Sequence, residues 1–476
     1  MRFSKTVRKI ISFIFAFTLM IYIPMIIYIP ALAFQQVSGI SVHYITPIVC
    51  FLCIFYTTIG GLKAVVWTDA IQGIFTLFAT IMVIILGIKN VGGLTNVFEI
   101  NNRGQRSEIF NMDPNPLSRN TFWSVTVGCS FLWIVVLTIH PGSTQRFVAL
   151  PTMKAAKKSV IWFGIGVCII HLLCVFIGMI MYAHYWNCDP VQAAMVKKNA
   201  EVLPKFIQTI GKKVPGLTGL FLSGLTSAAL STMSAGINTV SGTLYEDFIQ
   251  NCMPKNSTEA VASFIMKIIV VLIGIICVLL VYLVEKMGEI IQMSYSLGGA
   301  PNGAVFAVFA LGLFFPQTNS KGVICGIIGS LIFNVWLIIG TQVSVMNKNI
   351  FYLGKPTSVE NCDINSTLFR NNSLPANFKE VGDGVFIHEQ MNSIYATSFL
   401  YYVPLGSILG VIIGLVASYV TGGNDTEKLD PRLISPIARR FLSKKKYEFV
   451  NTKDDYKPVT QELKMSQIST KTQLNE

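Results

Sequence analysis

The chain is short of charge. Only 13% of its 476 residues are Asp, Glu, Lys or Arg, about half the share found in soluble domains. Acid is scarcest, with 24 Asp and Glu against 37 Lys and Arg, and there are five His. The sequence has no pair of Cys-x-x-Cys motifs, no His/Cys metal spacing, no phosphate-binding glycine loop and no nucleophile elbow. An enzyme therefore has no positive support, nor does any cofactor or metal beyond a simple ion. The net charge of +13 is not a nucleic-acid signal. The Lys and Arg stand at helix ends and in the tail, where they act as topology signals and anchors for membrane lipid.

Apolar residues make up 52% of the chain. They come in runs of about 20, the length that crosses a bilayer as a helix. The pattern predicts an all-α polytopic membrane protein with about ten transmembrane helices. They are expected at 7–34, 42–60, 64–88, 121–139, 156–185, 223–247, 260–284, 289–315, 322–343 and 393–420. The start has signal-peptide grammar: a basic Met1 to Lys9, an apolar run, then Ala31-Leu32-Ala33. The run is too long for a leader and contains Pro24 and Pro30, so it reads as a retained helix kinked at its prolines. Residues 1–422 are expected to form the membrane domain, and 423–476, polar and Lys-rich, a disordered cytoplasmic tail.

Basic residues set the orientation. Arg2, Lys5, Arg8 and Lys9, then Arg146 to Lys158, then Arg439 to Lys446, all fall on one side of a ten-helix chain. That side is the cytoplasm, with both termini inside. The sequons at Asn365 and Asn371 fall outside, as glycosylation requires. Those at Asn256 and Asn424 fall inside, so the motif alone decides little. Most cysteines lie within apolar runs and read as small hydrophobes. Cys188 and Cys362 fall in two outer loops, which leaves a disulfide between them open.

The stretch 223–247 stands apart, SGLTSAALSTMSAGINTVSGTLYED. Ser227, Ser231, Ser234 and Asn238 share one helical face, and hydrocarbon does not tolerate that many polar side chains unless they face protein, water or an ion. Ser231 and Thr232 are two adjacent hydroxyls suited to a hard monovalent cation. The plainer reading is hydrogen bonding in a small-residue helix seam. Pro141-Gly142 either breaks the fourth helix, as in transporter sites, or, more plainly, ends it before the basic loop. Asp69, after the Gly60-Gly61-Leu62-Lys63 turn that separates the second and third helices, either complements a helix dipole or lies on an ion path. The Gly406, Gly410, Gly414 ladder reads as a close-packing face.

Several segments together resemble the sodium/solute symporter family (solute carrier family 5). Gly60-Gly61-Leu62-Lys63-Ala64-Val65-Val66-Trp67-Thr68-Asp69 is similar to a family signature. So are Leu230-Ser231-Thr232 with Tyr245-Glu246-Asp247, Gln145-Arg146-Phe147, and Thr121-Phe122-Trp123. The resemblance is nearest to the monocarboxylate, multivitamin and iodide transporter branch. It implies an inverted-repeat, leucine-transporter-type fold and sodium-driven import by alternating access, with sodium and a small organic anion as partners. It also implies that the Ser231 and Thr232 hydroxyls and the Ala228 carbonyl bind sodium, and that Asp69 lies on the sodium release path. Trp133, Leu137, Ile291 and Tyr295 match positions that face substrate.

Two departures accompany it. His140-Pro141 stands where many relatives have Asn-Gln. The chain also begins where relatives start their fourth helix, which implies an N-terminal truncation of the fold. The resemblance implies symport of a monocarboxylate, or of a vitamin such as biotin or pantothenate, at the plasma membrane. The alternative is a non-transporting pseudo-transporter with an interaction or regulatory role.

Overall fold

The computed structural model describes residues 2–441, apart from 109, 213, 255–257, 286–289, 363–377 and 427–428. Twelve α-helices of more than a single turn account for most of them. Among the described residues ten stretches are long and apolar enough to span a membrane, the number that hydropathy implies.

Helix α1 (Lys5–Ser38) opens the chain and runs through Pro24 and Pro30 without interruption. Ser4 caps it, its side chain accepting from the Val7 amide, and Gly39 ends it at φ 75°, a left-handed turn that glycine adopts without a Cβ penalty. Helix α1 is central. Ile23, Ile27 and Tyr28 pack with Met233 and Ile237 in one core cluster. Val7 and Ile14, nearer its start, pack with Val135, Ala304 and Leu311 in another.

Helix α2 (Val42–Val91) corrects an expectation. The Gly60-Gly61 pair was expected to turn the chain between two helices, yet the segment is helical throughout its 50 residues. Glycine lowers helix stability by only about 1 kcal/mol per residue, so the pair weakens the hydrogen-bonded ladder without breaking it. The helix is not straight. Twenty residues of straight helix put Tyr56 and Thr76 about 30 Å apart. Both nevertheless bond carbonyls on one neighbour, Tyr56 to Leu230 and Thr76 to Gly224, which stand about 9 Å apart on that helix. Two stretches of α2, Val42–Ile59 and Trp67–Val91, are each long and apolar enough to span a membrane.

After α3 (Leu94–Arg103) comes α4 (Phe122–Ile134), opened by a reciprocal cap between Thr121 and Ser124. Next are α5 (Pro141–Val148), α6 (Met153–His184) and α7 (Val202–Gly211). Helix α8 (Leu217–Leu244) carries the polar stretch and passes into a π-turn at Tyr245–Ile249. Helices α9 (Glu259–Glu285), α10 (Ile290–Phe314), α11 (Ser320–Met346) and α12 (Tyr402–Val420) complete the bundle. The glycine ladder of α12 is buried between α10 and α11. A Cβ on Gly410 would stand 2.8 Å from the Ala307 methyl and 3.1 Å from Ser330 Cβ, so no side chain fits there.

The loop between α11 and α12 is not simply polar coil. It folds β1 (Ile350–Tyr352), β2 (Phe378–Gly382) and β3 (Val385–His388) into an antiparallel sheet of order β1-β3-β2. Ile350, Val385 and Ile387 form its small core. These apolar residues are too few to show in hydropathy. Arg106 donates to the Lys355 and Pro356 carbonyls, and Asn115 to the Val381 carbonyl, so the loop before α4 packs on the sheet. Cys188 and Cys362 are joined by a disulfide with Cα atoms 5.1 Å apart. Asn365 and Asn371 lie outside the described residues.

The first described residues and the segment after α12 meet at the other pole. Arg2 donates to the Gly312, Phe315 and Pro316 carbonyls at the end of α10. The segment after α12 returns to the same place, where the Asn424 amide donates to Gln317 and the Ser435 amide to Leu313. Leu429, Ile434 and Ala438 are buried together, three apolar residues that pin an otherwise polar stretch.

Candidate functional site

Helix α8 packs chiefly on α2 and α1. On it Thr232 Oγ1 donates to the Ala228 carbonyl at 3.1 Å. The i, i+4 spacing puts both oxygens on one face of the helix, and both residues are exposed. Thr232 spends its one hydrogen inside the helix, so its oxygen turns lone pairs outward. Ser231 is half-buried beside them, and its hydroxyl has no hydrogen-bond partner among the described residues. Two hydroxyls and a carbonyl are the neutral oxygen donors that a hard cation accepts. Deeper in the seam, Ser234 and Thr239 bond carbonyls of their own helix, which satisfies them as packing residues.

Asp69 lies beside this face. Tyr56 donates to the Leu230 carbonyl, one residue before Ser231, at 3.0 Å. The Tyr56 phenol is also within electrostatic reach of Asp69. Arg146 of α5 donates to Asp69 Oδ2 at 3.0 Å, while Oδ1 is buried with no hydrogen-bond partner. One buried carboxylate oxygen is thus left free next to the polar face. No group of three or more His, Cys, Asp or Glu suited to a transition metal occurs among the described residues.

The fourth membrane helix departs from the plainer expectation. Pro141-Gly142 was expected to end it, but the helix breaks and resumes. Helix α4 passes into a π-turn, Val135–Ile139, His140 swings out to ψ 127°, and Pro141 starts α5. Proline lacks an N–H and suits a first helical position, so it restarts a helix as readily as it stops one. Freed carbonyls are met locally: Ser143 bonds Val136 and Thr144 bonds Thr138. The hydroxyls at 143 and 144 were the missed signal for a break inside the helix.

The four substrate-facing positions divide. Trp133 is half-buried on α4, its ring 6.2 Å edge-on from His171. Leu137 sits in the π-turn. Tyr295 of α10 lies near Cys129, one turn before Trp133, and packs edge-on against Phe399 at 5.7 Å. Trp133, Leu137 and Tyr295 therefore belong to one region between α4 and α10. Ile291 is on α10, but its side chain lies outside the described set. His171 bonds the Val167 carbonyl of its own helix, a satisfied ring and not a member of the polar face.

The comparisons agree with this architecture. The description "Sodium:solute symporter family" matches residues 1–329. The human "Sodium-coupled monocarboxylate transporter 2" is 32% identical over 451 residues, covering 94% of this chain and 71% of that protein. The rabbit (Oryctolagus cuniculus) "Sodium-dependent multivitamin transporter" is 29% identical over 447 residues, covering 93% and 69%. Among solved structures, the substrate-bound outward-open state of a Na+-coupled sialic acid symporter superposes with a TM-score of 0.64 at 20% identity, over 89% of this chain and 76% of that one. That likeness fixes the fold as the leucine-transporter type. With the broken helix, the polar face of α8 and the family match over more than half its length, this chain belongs to the sodium:solute symporter family and is a sodium-coupled solute symporter.

Proposed function

We propose that the protein imports a small organic anion, a monocarboxylate or a vitamin of the biotin or pantothenate kind, across the plasma membrane with inward-moving sodium, its termini facing the cytoplasm. The observation that carries this reading is the pairing of the Ala228 carbonyl and Thr232 hydroxyl at 3.1 Å on an exposed face. The names of the relatives support the solute class. In this reading sodium takes oxygens from Ala228, Ser231 and Thr232, then leaves past Asp69, whose free Oδ1 attracts it while Arg146 holds Oδ2. Trp133, Leu137, Ile291 and Tyr295 face the solute where the helix is broken, a place where transporters put their sites. Ion and solute sites that exchange free energy do so reciprocally, so the solute tightens sodium binding.

The test is uptake of a labelled monocarboxylate by cells expressing the full chain, with sodium or with choline in its place. Uptake that collapses in choline supports the proposal. Uptake that is the same in both media overturns it.

A further inference from the structure

A groove of about 440 Å³ lies where the end of α9 meets the start of α2, at the pole opposite Arg2. It takes no part in the polar face of α8 or in the helix break. His43 of α2 and Leu279, Tyr282, Leu283 and Glu285 of α9 line it. Leu279, Tyr282 and Leu283 are exposed, and so are Leu272 and Ile275 before them. The steps of three and four put all five on one helical face. Helix α9 is long and apolar enough to span a membrane, so an exposed apolar stripe along it faces lipid.

The stripe ends in charge. Glu285 is the last residue of α9 and stands where hydrocarbon gives way to headgroups. Tyr282, one turn earlier, is a residue type that collects at that level. His43 Nε2 is 3.3 Å from Glu285 Oε2, and the Glu285 side chain is still 40% exposed. The His43 ring stacks on Tyr282 with centroids 4.5 Å apart and planes 7° apart. A neutral imidazole that donates its Nε2 hydrogen leaves the carboxylate its full charge. Lys198 is next to it. Its Nζ donates to the Glu285 carbonyl at 2.9 Å and to the Tyr28 hydroxyl at 3.0 Å. The groove therefore has an anion in its lining and a cation beside it.

These features select the occupant. The apolar stripe opens to the bilayer, which a water-soluble partner does not enter. An anionic headgroup would meet Glu285 without compensation. A zwitterionic one sets its ammonium on the carboxylate and its phosphate toward Lys198. A primary ammonium carries three hydrogens that need acceptors, and one Glu285 oxygen already faces His43. A quaternary ammonium needs none, and an aromatic face such as that of Tyr282 attracts it.

We infer that this groove holds a phospholipid with a choline headgroup. Its ammonium lies against Glu285 and Tyr282, its phosphate toward Lys198, and one acyl chain along Leu283 and Leu279. The inference does not depend on which solute the chain carries.

The test uses the purified full chain, stripped of lipid in detergent. It is given equal amounts of dioleoylphosphatidylcholine and dioleoylphosphatidylglycerol and read by native mass spectrometry. One phosphatidylcholine is retained in preference to phosphatidylglycerol. Glu285→Gln, which keeps the shape and removes the charge, weakens that retention about tenfold. Glu259→Gln, at the exposed other end of α9, leaves it unchanged. The inference is overturned if the two lipids are retained equally, which means annular lipid only. It is also overturned if Glu285→Gln retains phosphatidylcholine as the natural chain does, or if Glu259→Gln weakens it as much. Should Glu285→Gln fail to fold, Lys198→Met decides by the same measure: weakened retention supports the inference and unchanged retention overturns it.

Discussion

Arg146 and Asp69 form an ion pair at 3.0 Å between α5 and α2, with the Asp69 side chain 15% exposed and that of Arg146 50% exposed. The pair ties the half-helix after the break to the helix beside the polar face. Its value lies between that of an exposed pair and a buried one. A double-mutant cycle with Asp69→Asn and Arg146→Met, read by thermal unfolding, is expected to give a coupling of about 1 kcal/mol. Arg146→Met alone should be the most damaging of the three variants, because it leaves a largely buried carboxylate unpaired.

Ser231→Ala with Thr232→Ala is expected to raise the sodium concentration for half-maximal uptake by about tenfold or more, as two ligands are lost. Expression and melting temperature should hardly change, because Thr232 is exposed and exposed substitutions cost little. Sodium activation curves on normalised surface protein provide the measurement, and superimposable curves would remove these residues from the site.

Gly410→Ala places a methyl 2.8 Å from the Ala307 methyl. Backbone must move, at an expected cost of about 1–3 kcal/mol. A fall in melting temperature in detergent checks it, and Gly164→Ala, at a glycine inside α6 with no heavy atom within 4 Å, is the comparison for the effect of helix propensity alone.

Cys362→Ser removes the bridge to Cys188, which closes a span of 174 residues. A loss of about 2–4 kcal/mol is expected, seen as earlier melting and as easier proteolysis after Arg106 or Lys355. Reductant should reproduce the shift in the natural chain and leave the variant unmoved.

Arg2→Ala removes the donor to the Gly312, Phe315 and Pro316 carbonyls at the end of α10. Carbonyls at a helix end need such partners, so faster hydrogen exchange is expected at 312–318, measured by mass spectrometry. Unchanged exchange there would show that water replaces the guanidinium without cost.

Hydropathy alone determined that this is a polytopic helical protein with ten spans, because a bilayer imposes length and apolarity on each helix independently of its neighbours. The glycine ladder at 406, 410 and 414 was legible for a similar reason: a repeat of four puts small residues on one face wherever the helix goes. Other features were not legible. Gly60-Gly61 looked like a turn, and only the contacts of Tyr56 and Thr76 with α8 show a bent continuous helix. Pro141 looked like a stop, and only its continuation into α5, with Ser143 and Thr144 capping freed carbonyls, shows a break. Periodicity put Ser231, Ser234 and Thr232 on one polar helix but could not separate glue from ligand. That separation depends on which hydroxyls find partners. Ser234 does and Ser231 does not, a fact about neighbours in space. Ser12, His140, Thr243 and Asn302 come from four elements far apart in the chain yet line one small cavity at the helix break, and no local pattern encodes such a meeting.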